Sequence, residues 1–543
     1  MNGIELILIA LVMYVIAYKL YGGFITKRLE VNNSKETPSH TMYDGVDYCP
    51  AKAPVLLGHH FASIAGAGPI VGPVIAAGFG WLPVYLWVIF GAIFIGGVHD
   101  YSSIVASVRH QSKSIGYIIQ SYIGVNGKKL FLIFAWATLI LVIAVFTIIV
   151  ADTFTHIPSA GTSSILFMIL AVLFGIALYR LKIPLWIATL IGVSLLFLSI
   201  PAGNLFPLEL SAFTWQVLLL VYIFIASVTP VWILLQPRDY LNSFFLYALM
   251  IGGLVGIFFA APTINIPAFN SFSLDKVGYL FPALFVTVAC GAISGFHSIV
   301  GSGTTAKQLN KETDGRIVGY GGMLIEGMLA VLSLVAVASM VNKEFIDLLI
   351  TKGPVPAFSL GVARFINAIP VLNISIPAAQ TFTALAVSAF ALTSLDTATR
   401  LARFMFQEYF EKKDDGEKSF ITNRYLSTGI TVAFGAALTF SGQTMSIWPV
   451  FGSANQLLAA LALLALTVWI ANLKKGFLFV LIPMLFMFAV TLTALGMLVY
   501  QNFIATNYTL SIISVILFTL AVLLGIKAYS VLANGKELSK EIA

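Results

Sequence analysis

The histidines and carboxylates of this 543-residue chain stand in strongly apolar surroundings. His59 and His60 open the string HHFASIAGAGPIVGP, His99 and Asp100 follow in GGVHDYSS, His297 lies in FHSIVGSG, and Glu326 stands alone in GGMLIEGMLAV. Ionisable groups are expensive at membrane depth, so each is read first as functional. Histidine exchanges protons in the physiological range, and an isolated buried carboxylate must be protonated, paired across helices or bound to a cation. Glu326 and Asp100 are therefore candidates for proton coupling, and His60 and His297 for substrate contact or a proton relay. No metal site is expected, because HExxH is missing and adjacent His59 and His60 point to different faces of a helix.

Hydroxyls and amides form a second group. In LTSLDTATRLARF, the hydroxyls of Thr393, Ser394 and Thr397 suit a coupling cation, by fold-level analogy with broken-helix transporters. Asp396 in the same string has Arg400 four residues on, the spacing of a helical ion pair. The string SGQTMSIWPVFGSANQLLA supplies Gln443, Trp448, Asn455 and Gln456, whose polar groups can bond a substrate or join helices. Gln443 and Asn455 are carried forward as substrate-binding candidates.

The elements that hold these residues are membrane helices. Hydrophobic residues make up 59% of the chain and charged ones 10%, with a mean hydropathy of +0.95, far from the usual balance of soluble domains. The net charge of +7 reports topology here rather than a nucleic-acid or acidic partner. Cys49 and Cys290 fall at different depths, which leaves no disulfide framework. MNGIELILIALVMYVIAYKLYGG has no basic leader and no A-x-A site, and reads as a retained helix.

Apolar runs near the length of a membrane crossing number 15. When they alternate, only Lys276, Lys343, Lys352 and Arg364 of the 30 Lys and Arg fall on one side. The positive-inside rule then puts the N-terminus outside and the C-terminus in the cytoplasm.

Two of those runs carry the same pattern, F-x-S-I-x-G-x-G: FASIAGAG at Phe61 to Gly68 and FHSIVGSG at Phe296 to Gly303. Seven spans separate the starts of the two runs, so the copies run in opposite directions. The expected architecture is an all-α polytopic membrane protein with an inverted repeat: an added helix at 1–22, a first half over 51–262 and a second over 276–532. Helices broken at both strings would place Ser63, Gly66 and Gly68 opposite Ser298, Gly301 and Ser302 around one site. Pro69 suits the first position of a half-helix, whose free N–H groups favour an anion such as a carboxylate.

Four long strings, HHFASIAGAGPIVGPVIAA, GGVHDYSSIVAS, SLDTATRLARFMFQE and IWPVFGSANQLLAALAL, resemble the carbon starvation protein A family of bacterial membrane transporters. The resemblance runs through nearly all the spans, and the chain ends soon after its last helix where longer members continue. It implies a fold near the amino-acid/polyamine transporters, a place in the bacterial inner membrane, and uptake of peptides or of pyruvate with protons. The expected ligands are thus a small carboxylate or peptide and a coupling proton, with sodium as the variant, and no cofactor. A channel is the weaker alternative. An enzyme is not expected, since no catalytic domain or ligand-spaced Cys/His pair is present.

Overall fold

The computed structural model describes all residues except 1, 46, 231–233, 275–276, 411–419, 442–443 and 534–543. Gln443 and Lys276 lie outside the described residues. Lipid offers no hydrogen bonds, so a chain this apolar satisfies its backbone within helices, and most of the described residues are helical. A two-residue antiparallel ladder, Ser273↔Tyr279 and Leu274↔Gly278, tightens the loop before Leu280.

Among the described residues, 11 helices are long and apolar enough to cross a membrane, or 12 when one bent pair is counted as a span. The other four expected runs take different forms. One is the bent pair Ala53–Ile64 and Gly68–Phe79, which turns by 49°. Another is interrupted between Leu280–Thr287 and Gly295–Val300. The last two are the short helices Ala212–Val228 and Arg424–Thr439. The stretch 342–373, read from sequence as a connection, folds into helices Asn342–Thr351 and Pro354–Asn367. The second of these lies close over the bundle: a Cβ at Gly361 would sit 2.5 Å from the Ala336 carbonyl oxygen.

Burial sorts the helices into an inner set and an outer ring. In Glu312–Ala338 and Ile447–Asn472, 94% of the most apolar stretch is buried, against 28% in Leu185–Leu205 and 33% in Tyr508–Ser530. Val125–His156 and Ile376–Phe410 also belong to the inner set and pack along each other. Outer helices keep Leu, Ile and Phe on the lipid side, where these side chains cost nothing.

The two interrupted helices meet at their breaks. Small residues allow it: a Cβ at Gly72 would lie 2.6 Å from the Thr287 carbonyl oxygen and 3.1 Å from Val288 Cα, and one at Gly68 would run into Cys290 Sγ. The first break, 65–67, falls within FASIAGAG as expected. The second does not fall within FHSIVGSG. It lies upstream at 288–294, and Gly301, Ser302 and Gly303 are helical, in the wider turn Gly301–Thr305. The expectation of a break at Gly301 is thereby corrected. Its physical reason is local. Pro69 and Pro73 follow the first string, removing donors and disfavouring helix just before them, whereas Thr304 and Thr305 follow the second and let the helix continue.

Candidate functional site

Each break is built differently. At the first, the backbone turns on itself: Ala65 N–H donates to Phe61 O at 2.9 Å, Gly66 N–H to Ile64 O at 2.8 Å, and Val71 N–H to Ala67 O at 2.8 Å. No side chain caps the half-helix that begins at Gly68. At the second, neighbouring side chains take up the freed groups. Asn455 Oδ1 accepts from Phe296 N–H at 3.0 Å and Asn455 Nδ2 donates to Ser294 Oγ at 3.0 Å. Gln456 Nε2 donates to the Phe285 carbonyl, and Trp87 Nε1 to the Val288 carbonyl at 3.0 Å. Consecutive amides on one inner helix thus hold the two edges of the same interruption.

A narrow cavity lies between the breaks. Ile64 and Gly66 line it from the first, Cys290 and Phe296 from the second, and Val142, Phe146, Ser394, Phe451 and Asn455 from the inner helices. Ser394 Oγ is buried and has no hydrogen-bond partner. It stands so near the first break that a Cβ at Gly66 would lie 2.5 Å from it and 3.1 Å from Phe146 Cε2.

On the other side of the second break runs a connected line of ionisable groups from three helices. His99 Nδ1 and Asp100 Oδ1 are 2.7 Å apart, and Asp100 Oδ2 lies 2.8 Å from His297 Nδ1. The opposite ring nitrogen, His297 Nε2, is 3.3 Å from Glu326 Oε2. All four side chains are fully or almost fully buried. Glu326 pairs across helices, one of the three outcomes its isolation in sequence allowed. His60 lies alongside, with Nδ1 2.8 Å from Thr305 Oγ1, and its ring approaches Gly322 in the helix of Glu326. Acceptor and donor capacity is left over: both Glu326 carboxylate oxygens, His297 Nε2, His99 Nε2 and His60 Nε2 make no hydrogen bond. A buried polar group without a partner costs about 1–3 kcal/mol.

The remaining sequence candidates have local partners. Ser63 Oγ donates to His59 O at 2.9 Å, Ser298 Oγ to Gly295 O at 2.7 Å and Ser302 Oγ to Ser298 O at 2.6 Å. Thr393 Oγ1 accepts from Asn242 Nδ2 at 3.1 Å, while Thr397 is partly exposed beyond it on the same helix. Asp396 does not pair with Arg400. Its partners are Arg238 and the Tyr222 hydroxyl, the latter at 2.8 Å, and Arg238 also bonds Asp239 at 2.9 Å. Arg400 instead donates to the carbonyls of Ala226 and Thr229, at 3.0 and 2.8 Å. The i, i+4 expectation fails because a fully buried carboxylate is better matched by a fully buried guanidinium than by one within reach of free carbonyls. Sequence reasoning missed Arg238, which sits in ILLQPRDYLN between two apolar runs and reads as a loop cation.

Comparison with known proteins gives the family of the chain. A family described as "Carbon starvation protein CstA" matches residues 2–351 and 346–494. The chain is 30% identical to "Peptide transporter CstA" of Bacillus subtilis (strain 168), over 98% of this chain and 97% of that protein. It is 32% identical to "Peptide transporter CstA" of Escherichia coli (strain K12), covering 87% of this chain and 78% of the relative. It is also 29% identical to "Pyruvate/proton symporter BtsT" of Escherichia coli (strain K12), over 92% and 82%. The chain belongs to the carbon starvation protein CstA family of multi-pass membrane transporters.

Proposed function

We propose that this chain is a secondary active importer of a small carboxylate or a peptide, driven by proton symport. The observation that carries the reading is the buried line His99–Asp100–His297–Glu326 beside the meeting point of two interrupted helices. His297 and Glu326 can share one proton as imidazolium and carboxylate or as imidazole and carboxylic acid, and the region can accept a second. Burial makes each extra charge costly, so proton arrival favours one packing of the helices over another, which is what coupling requires.

The substrate is placed in the cavity between the breaks, near Ser63, Gly66 and Gly68 on one side and Asn455 on the other, with His60, His297, Ser298, Gly301 and Ser302 behind the second break. Ser394 borders the same space. Residues 51–262 and 276–532 act as oppositely oriented halves that rock about it, with helix 1–22 outside the pair, the N-terminus outside and the C-terminus in the cytoplasm of a bacterial inner membrane. In support, each interrupted helix is followed by a span that contains one wide turn, Ala92–Gly96 at the middle of the first and Arg316–Gly321 near the start of the second.

A sodium-coupled version draws on one specific observation, the partnerless Ser394 hydroxyl at the first break. Uptake of labelled pyruvate and labelled dialanine into proteoliposomes separates the versions. Accumulation that follows an imposed pH gradient without sodium supports proton symport. Dependence on external sodium transfers the role to the cation, and non-saturable flux without accumulation indicates a channel.

A further inference from the structure

A second cavity lies one to two helical turns from the first, along the same two inner helices and toward the side that the charge distribution places outside. It is lined by Val145, Ile149 and Asp152 of one helix, Trp448 of another, and Lys352. The two cavities share no lining residue. Between them stand three rings: Phe146 and Phe451 with centroids 5.8 Å apart, and Phe451 and Trp448 at 5.3 Å. This aromatic layer closes the outer cavity toward the breaks.

Two opposite charges face the outer cavity without meeting. Asp152 is partly buried, and among the described residues its carboxylate forms no ion pair or hydrogen bond; only its backbone carbonyl is engaged, by His156 Nδ1 at 2.9 Å. Lys352 is exposed and likewise unpaired among the described residues. Its backbone is fixed by Gly353, with φ +88°, and by Pro354, which opens the helix Pro354–Asn367. The Trp448 indole N–H is buried and has no acceptor. Opposite charges at the edge of a low-dielectric space attract, and both groups line the same space.

A ligand bearing both an ammonium and a carboxylate group completes this arrangement. Its ammonium end is matched by Asp152, and its carboxylate by Lys352 and the Trp448 N–H. An extended dipeptide spans roughly 7 Å, more than a direct ion pair. A simple monocarboxylate matches only the lysine end and meets Asp152 as a like charge, which acts against it. We propose that the outer cavity is a binding site for zwitterions, amino acids or short peptides, that admits them ahead of simple carboxylates. The proposal rests on the transport reading for its purpose, though its binding test does not depend on transport.

The test is equilibrium binding of radiolabelled dialanine to the purified full-length chain, with alanine, N-acetyl-dialanine, dialanine amide and pyruvate as competitors. The expected result is that the acetylated and amidated forms and pyruvate compete at least tenfold more weakly than dialanine. Asp152→Asn should erase the penalty on the acetylated form alone, and Lys352→Met the penalty on the amide alone. Asp152→Glu and Lys352→Arg keep both preferences and control for folding. Alanine competing as well as dialanine assigns the site to amino acids, and weaker alanine assigns it to peptides. Absent dialanine binding, equal competition by all forms, or variants that weaken every ligand alike would overturn the proposal. Uptake measured in parallel keeps the two readings apart. Binding without uptake rejects transport and keeps the site, whereas uptake indifferent to both variants rejects the site and keeps transport.

Discussion

The two helix interruptions differ in who satisfies them. At 288–294, Asn455, Gln456 and Trp87 bond the freed backbone groups, so this break is held open by a neighbouring helix. At 65–67 no side chain caps the following half-helix, and Ser394 stands against Gly66 without a hydrogen-bond partner. A break supported from outside is a fixed wall. A buried hydroxyl left unclaimed, as that of Ser394 is beside the first break, is a place where a ligand gains, because binding satisfies a group that is otherwise left bare. Under the transport reading, the Ser394 hydroxyl beside the first interruption is free for a ligand, whereas Asn455 at the second lines the same cavity with its amide already engaged.

The harshest challenge to that contrast is Gly66→Leu. A Cβ alone would press on Ser394 Oγ at 2.5 Å and Phe146 at 3.1 Å, so the variant should insert and purify as a monodisperse protein yet take up substrate at background level. Gly66→Ala combined with Ser394→Gly should recover part of the activity lost by Gly66→Ala alone; wild-type rates in Gly66→Leu would remove the first break from the site. Next comes Asn455→Ala, which strips the cap from Phe296 N–H and leaves Ser294 with one partner fewer. Loss of a helix cap costs about 1 kcal/mol and an orphaned buried donor about 1–3 kcal/mol, so thermal unfolding should move down by several degrees, with Asn455→Asp falling less because the acceptor oxygen remains. A smaller effect is expected of Gly301→Ala, whose new methyl would meet Ile104 Cγ1 at 3.2 Å inside a continuous helix. Its uptake rate should stay within about twofold of wild type, and a loss matching that of Gly66→Ala would restore the equivalence of the two strings.

That equivalence marks the limit of what the sequence made legible. Eleven of the 15 expected spans, the apolar balance and the burial of His297, Asp100 and Glu326 followed from composition and from the cost of charge in an apolar environment. The first break was readable because Gly66, Gly68 and Pro69 act locally on the backbone. The second was not, because Val288 to Ser294 holds only Gly291 as a local signal and is opened by Asn455 and Gln456 from far along the chain. Likewise, nothing near Asp396 in sequence points to Arg238, and the helix pairing that joins them is tertiary. Local periodicity reports faces and ends; it is silent on which polar groups a distant helix delivers.

Proton coupling through His99, Asp100, His297 and Glu326 is the central claim, and Glu326→Gln tests it most directly. The amide keeps the shape of the side chain and removes its titratable proton. In proteoliposomes the variant should lose accumulation driven by a pH gradient, falling to the level reached without one, while still exchanging external for internal substrate at a rate near wild type. Undiminished gradient-driven accumulation in Glu326→Gln would contradict the account.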